Sequence, residues 1–147
     1  MTASQLLLRP LTEDDIPTIF SLTSDPEVAR FMRFSTHKSI QEAEDLYQEY
    51  TSPGNYGYMI CLKDDLTPVG VAALKKEENE EYTRSMSVYL YPRFWNRGYS
   101  TEVILHLKEA AVREGIKCLK AYVVQDNTGS CRVLEKHRFS LEEVLHF

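Results

Sequence analysis

Three strand-like runs follow one another at residues 56–62, 68–74 and 82–91, joined by short polar turns, and a helix and a further strand come after them. The first turn, 63–67, reads Lys-Asp-Asp-Leu-Thr. The second, 77–81, reads Glu-Glu-Asn-Glu-Glu, a charge run that fits a solvated hairpin tip. Strands joined this closely pair antiparallel. Beyond Pro92 the apolar period lengthens: Val103, Ile104, Leu107, Ala110 and Ala111 fit a helix that stops at Gly115, and residues 119–124 return to strand. A strand–helix–strand passage brings its two strands parallel. An antiparallel block with a parallel crossover attached predicts an α+β, or mixed α/β, fold: one central mixed sheet of about six strands, mostly antiparallel and flanked by helices.

The remaining segments fit around that sheet. Residues 5–9 form a short leucine-rich strand. Thr12 and Asp15 open a helix with the apolar stripe Ile16, Ile19, Phe20 and Leu22. Asp25 caps a short helix with Pro26 at its first position. Ser39 and Glu42 read as a capping box, followed by Ile40, Ala43, Leu46, Tyr47 and Tyr50 at helical spacing. Asn127 caps a helix to about residue 136, and Phe139, Leu141, Leu145 and Phe147 alternate as a last strand. No repeat or linker divides the 147 residues, so residues 1–147 read as a single domain.

Composition narrows the classes. No apolar run approaches the ~20 residues that cross a bilayer, and acids follow at once on the three leucines near the start. The expectation is a cytoplasmic protein without a membrane partner. The net charge of −5 argues against a nucleic-acid partner and is compatible with a cationic one. Cys61, Cys118 and Cys131 form no Cys-x-x-Cys pair and read as small buried thiols, neither disulfide framework nor zinc site. His37, His106, His137 and His146 share no ligand spacing, so no metal is expected and they read as surface or helix-face residues.

Two segments can carry chemistry. Residues 89–102 run from a strand through a tight turn into a helix. Amides at a helix start lack helical acceptors and, with the helix dipole, favour an anion. Gly98 would let backbone approach that anion, and Arg93 and Arg97 add charge at the same rim. An ordinary strand–helix turn can hold the same residues, and this segment alone leaves both readings open. Residues 127–139 read, by themselves, as a capped helix leading into a strand.

Together the two segments resemble the GNAT superfamily of acetyl-coenzyme A-dependent N-acetyltransferases, and most of all the branch that acetylates ribosomal-protein N-termini, whose relatives act on small amines. That branch shows Trp-Gly-Lys-Gly-Tyr-Ala-Thr-Glu where this chain has Trp95, Asn96, Arg97, Gly98, Tyr99, Ser100, Thr101 and Glu102. It shows Asn-x-x-Ser-x-Arg-x-Leu-Glu-Lys and then Gly-Phe where this chain has Asn127, Ser130, Arg132, Leu134, Glu135, Lys136 and Phe139. Leu8-Arg9-Pro10-Leu11, Ser24-Asp25-Pro26-Glu27-Val28 and Pro68-Val69-Gly70 extend the likeness over nearly the whole chain.

The resemblance implies a V-shaped gap between the fourth strand, at 85–90, and the fifth, at 119–124. Pantetheine would lie in it against the backbone of Val88 and Leu90, with the pyrophosphate of acetyl-CoA on the amides of residues 96–101. An amine, on a peptide N-terminus or a small molecule, would attack the thioester directly. Departures from the family pattern bear on the chemistry. Leu134 stands where many relatives have a tyrosine acid; in the branch this chain resembles, a serine at the place of Ser130 can take that role, so the resemblance implies Ser130, with Asn127 a turn earlier, as the candidate acid. Ser85 stands where many carry a glutamate base, and Ser100 and Arg138 replace small residues. Those losses keep open an alternative, a catalytically degenerate domain that binds or senses an acyl-CoA. The family usually ends with one more strand between the fifth and sixth. Its absence here predicts an open edge and self-association as a homodimer, most simply because the chain is a shortened form of a longer protein.

Overall fold

The computed structural model describes residues 5–29 and 36–120 in full, and the backbone at 121, 123–124 and 144–145. Strand β1 (Leu6–Pro10) leads into a 3-10 turn and the helices α1 (Ile16–Thr23), α2 (Pro26–Ala29) and α3 (Ile40–Tyr50). Strands β2 (Tyr56–Leu62), β3 (Pro68–Glu77) and β4 (Glu80–Leu90) follow. Helix α4 (Tyr99–Arg113) precedes β5 (Cys118–Ala121), β6 (Val123–Val124) and β7 (Val144–Leu145). The strands β1 to β5 form one sheet in sequence order, antiparallel except for the parallel pair β4–β5. Among the described residues the sheet therefore has five strands where about six were expected. The run read as one strand over 119–124 is shared between two ladders: β5 pairs with β4, whereas β6 pairs in parallel with β7 in a separate two-stranded sheet.

The sheet is the middle layer. On one face lie α1, α2 and α3, where Ile19, Leu22, Val28, Ala43 and Tyr50 pack on Met59, Cys61, Val71, Ala73 and Tyr89. On the other lies α4, whose Val103, Ile104, Leu107, Ala110 and Ala111 pack on Leu6, Ile60, Ala72, Leu74, Met86 and Leu90. Burying a leucine such as Leu107 contributes ~1.5–3 kcal/mol, so these two stripes hold the helices to the sheet.

Local signals account for most boundaries. The Thr12 amide donates to Asp15 Oδ2 at 2.8 Å, and Arg9 grips the same carboxylate through two bonds of 2.8 Å, so the 3-10 turn is tied to β1. The Glu27 amide donates to Asp25 Oδ1, the cap expected there. Gly115, at φ +75°, ends the turn after α4.

Several expectations fail. The Ser39–Glu42 box is not closed: no side chain caps α3, and the Glu42 carboxylate stands 4.0 Å from His37 Nε2 instead. Ile40 lies on the water side, 48 % exposed, because it precedes the buried stripe begun by Ala43. Cys118 is exposed, at the outer end of β5, whereas Cys61 is buried as expected; Cys131 lies outside the described residues. The direct β6–β7 pairing also places the sixth strand beside the fifth.

Candidate active site

Strands β4 and β5 share only the register Thr83↔Cys118 to Met86↔Ala121. Strand β4 continues beside β3 as far as Leu90, opposite Gly70. Residues 87–90 therefore have β3 on one side and, among the described residues, no strand on the other. Two hydrogen bonds fix which backbone groups face the vacant side. The Tyr91 amide donates to the Val69 carbonyl at 2.9 Å, so odd-numbered residues of this stretch are turned toward β3. The Lys117 amide donates to the Tyr82 carbonyl at 2.8 Å, so even-numbered ones are turned toward β5. Val88 and Leu90 are even. Their backbone groups point into the opening. Gly70 lets β3 and β4 close at its rim, since a Cβ there would collide with the Tyr89 carbonyl oxygen and stand 2.8 Å from Leu90 Cα.

The turn after β4 begins at Pro92–Phe94 as a 3-10 turn and reaches α4 through two left-handed residues, Asn96 at φ 61° and Gly98 at φ 79°. Gly98 is the N-cap of α4, so no side chain caps the helix. The amides of Tyr99, Ser100 and Thr101 point out of its first turn with no helical acceptor. A Cβ built on Gly98 meets nothing within 4 Å. Positive φ, not crowding inside the chain, accounts for the glycine. Arg93 and Arg97 are exposed and both reach the Phe94 ring, with guanidinium carbons 4.9 and 6.0 Å from its centroid. Among the described residues neither pairs with an acid. The phenol ring of Tyr99 stands 6.0 Å from Phe94.

Two residues of the motif have jobs that its pattern did not disclose. Trp95 donates its indole N–H to the Leu90 carbonyl at 3.0 Å, so one of the two groups expected to meet pantetheine already has a protein partner. Glu102 turns away from the opening. It accepts the amides of Gln5 and Leu6 at 3.0 and 2.8 Å and meets His106 Nε2 at 3.2 Å, pinning the start of β1 to α4.

On the α1–α3 face of β4 the side chains are Ser85, Ser87 and Tyr89, so no carboxylate stands where a base was sought. Tyr89 and Tyr50 are buried, and their hydroxyls meet at 3.4 Å. Burial pushes the Tyr50 phenol up to about 12 and Tyr89 well above its ordinary value. Asn127 and Ser130, the expected catalytic pair, lie outside the described residues.

Comparison with known proteins decides the family: residues 5–140 match the acetyltransferase (GNAT) domain. The chain belongs to that family. It is an acyltransferase, and its relatives are N-acetyltransferases. One is the uncharacterized N-acetyltransferase YoaA of Bacillus subtilis, 25 % identical over 99 % of this chain and 85 % of the relative. Another is the uncharacterized N-acetyltransferase p20 of Bacillus licheniformis, 22 % identical over 96 % and 82 %. Among solved structures, the spermidine N-acetyltransferase of Vibrio cholerae in complex with CoA and spermine shares the fold at TM-score 0.81. It is 16 % identical and covers 91 % of this chain and 80 % of its own. No described helix is long and apolar enough to cross a membrane.

Proposed function

We propose that this acetyltransferase takes acetyl-CoA as its acyl donor and a small primary amine as its acceptor. The observation that carries the reading is the parting of β4 from β5 after Met86, directly upstream of an uncapped helix start flanked by two arginines that pair with no acid among the described residues. The residues fit the coenzyme. The amides of residues 96–101, with Arg93 and Arg97, suit a pyrophosphate. The backbone of Val88, and the second lone pair of the Leu90 carbonyl, suit the amides of pantetheine.

When bound, acetyl-CoA supplies a thioester open to direct attack by an amine. The chain's residues then have three tasks. Those around β4 orient the amine. Ser130, with Asn127 three residues earlier in the sequence, gives a proton to the departing sulfur. Water takes the excess proton of the bound ammonium and leaves the neutral amine that attacks, since Ser85, Ser87 and Tyr89 offer no carboxylate. The net charge of −5 favours a cationic acceptor, and the Vibrio neighbour, found with spermine, makes polyamines the first class to test. A peptide N-terminus, as in the ribosomal-protein branch, is the second.

Serine at position 85 favours one other reading, an acyl-CoA sensor without turnover. Acetyl-CoA mixed with spermidine, putrescine and a free-N-terminal peptide in turn, with free thiol detected, separates the two. Amine-dependent thiol release supports the transferase; binding of acetyl-CoA with no thiol release from any of them supports the sensor.

A further inference from the structure

Trp95 is the chain's single tryptophan, and its indole N–H donates to the Leu90 carbonyl at 3.0 Å. Leu90 is one of the even-numbered residues of β4, whose backbone groups are turned away from β3. A ring bonded to that carbonyl stands on the open side of β4, at the end of the opening. The ring is half-buried and packs on the core cluster that includes Leu90, Phe94 and Val103. The Trp95 backbone amide donates to the Pro92 carbonyl at 3.0 Å, which fixes the other end of the residue in the turn. Asn96, the next residue, begins the left-handed passage to the first amides of α4. One residue thus ties the edge of β4, suited to pantetheine, to the turn suited to pyrophosphate. The tie also limits which groups a ligand can use. Met86 is paired with Ala121, and Pro92 has no N–H. Among the described residues the open groups between them are those of Val88 and Leu90, about 6.8 Å apart along the strand. The indole, a donor only, takes one of the two lone pairs of the Leu90 carbonyl. A ligand lying along the edge meets the ring at Leu90 and goes no further.

We propose that Trp95 is a positioning residue that fixes where the pantetheine arm lies along β4, and with it the thioester. The inference rests on the function proposed above and deepens it by naming what sets the register of the coenzyme. The arm and the pyrophosphate belong to one molecule, so both are satisfied together only while the edge and the turn keep a fixed separation. The bond from Trp95 to Leu90 holds that separation. Without it the Leu90 carbonyl offers both lone pairs and the arm can slip. A slip of one strand step, about 6.8 Å, takes the thioester carbon beyond the ~3–3.5 Å at which an amine attacks. Trp95 touches no reacting atom and acts through Leu90. A residue that merely closed the end of β4 would affect every ligand of the turn alike.

The test compares the parent with Trp95→Phe, which keeps a ring and loses the N–H. Calorimetry measures two ligands: acetyl-CoA, and adenosine 3′-phosphate 5′-diphosphate, which is the coenzyme without its pantetheine arm. Turnover at saturating acetyl-CoA is followed by thiol release with whichever of spermidine, putrescine or a free-N-terminal peptide reacts. Trp95→Phe should bind acetyl-CoA about 10-fold more weakly, the effect of one hydrogen bond, with nucleotide affinity held within about twofold. Its kcat should fall about 10-fold or more, because a slipped arm stays slipped at saturation. Equal losses for the two ligands overturn the inference and leave Trp95 a support of the turn. So does unaltered acetyl-CoA affinity or unaltered kcat. A second measurement needs no variant and decides the matter if Trp95→Phe does not fold. Acrylamide quenching of the parent's tryptophan emission reads this ring alone. Acetyl-CoA should shield it more than the nucleotide does; equal shielding by both, or none, overturns the inference. A parent that binds no acetyl-CoA overturns the proposed function itself, and is told apart by the first titration. A parent that binds it and releases thiol with no amine overturns the transfer alone, and the two affinities and the quenching still decide the place of Trp95.

Discussion

Replacing Gly98 by valine separates what the turn does for the fold from what it does for the ligand. Gly98 sits at φ 79° and ψ 4°, and a Cβ there meets nothing within 4 Å. The structural cost is therefore backbone strain alone, at least ~1–2 kcal/mol for a side chain in the left-handed region. In a domain of this size that lowers Tm by roughly 2–8 °C. Gly115, beyond the other end of α4, has φ +75° and the same empty surroundings. Gly115→Val carries the same strain far from the opening and serves as the matched control. The two variants should lose similar stability in thermal melts. Only Gly98→Val should lose acetyl-CoA affinity, by about 10-fold or more, because the branched side chain fills the space that the pyrophosphate needs and forfeits at least one charge-assisted bond. Calorimetric titration of both variants decides the matter. Equal affinity in Gly98→Val and Gly115→Val would refute the placement of the pyrophosphate.

Other outcomes follow from the same geometry. Arg93→Ala and Arg97→Ala should each weaken acetyl-CoA binding and flatten its salt dependence, read by titration at two ionic strengths. Ser130→Ala should lower turnover ~10²–10⁴-fold with coenzyme affinity nearly unchanged, measured by thiol release. Glu102→Ala should cost ~2 kcal/mol of stability, since it frees the amides of Gln5 and Leu6, while leaving coenzyme affinity in place. Burial of Asp15 works to raise its carboxyl, but the bonds from Arg9 and Thr12 outweigh it and hold the group below the usual range. Its stabilisation is thus present above about pH 4 and lost as pH falls through the lower folded value, so the stability gap between parent and Asp15→Asn should close only in acid.

What the chain discloses locally is what the structure repeats. Hairpins with polar tips, the left-handed Gly98 and Gly115, and the apolar stripe of α4 are all set within a few residues, and each appears where its signal stands. The opening beside Val88 and Leu90 was legible by resemblance, and the backbone parity of β4 reproduces it. Contacts across long stretches of chain were not legible. The Glu102 carboxylate reaches amides 96 and 97 residues away, and nothing in the period of α4 marks it. Trp95 reads as a motif residue, yet its indole is spent on Leu90. Tyr50 and Tyr89 read as apolar positions on a helix and a strand. Only the packing of α3 on the sheet brings their hydroxyls together. The box at Ser39 failed for a related reason: His37 stands within 4.0 Å of the Glu42 carboxylate that the box required.

The most direct test of the central claim is amine-dependent thiol release from acetyl-CoA, with the amine product identified by mass spectrometry. The account predicts release of one thiol for each acetylated amine, and loss of that release in Gly98→Val but not in Gly115→Val. Acetyl-CoA that neither binds nor yields thiol with spermidine, putrescine or a peptide N-terminus would contradict it.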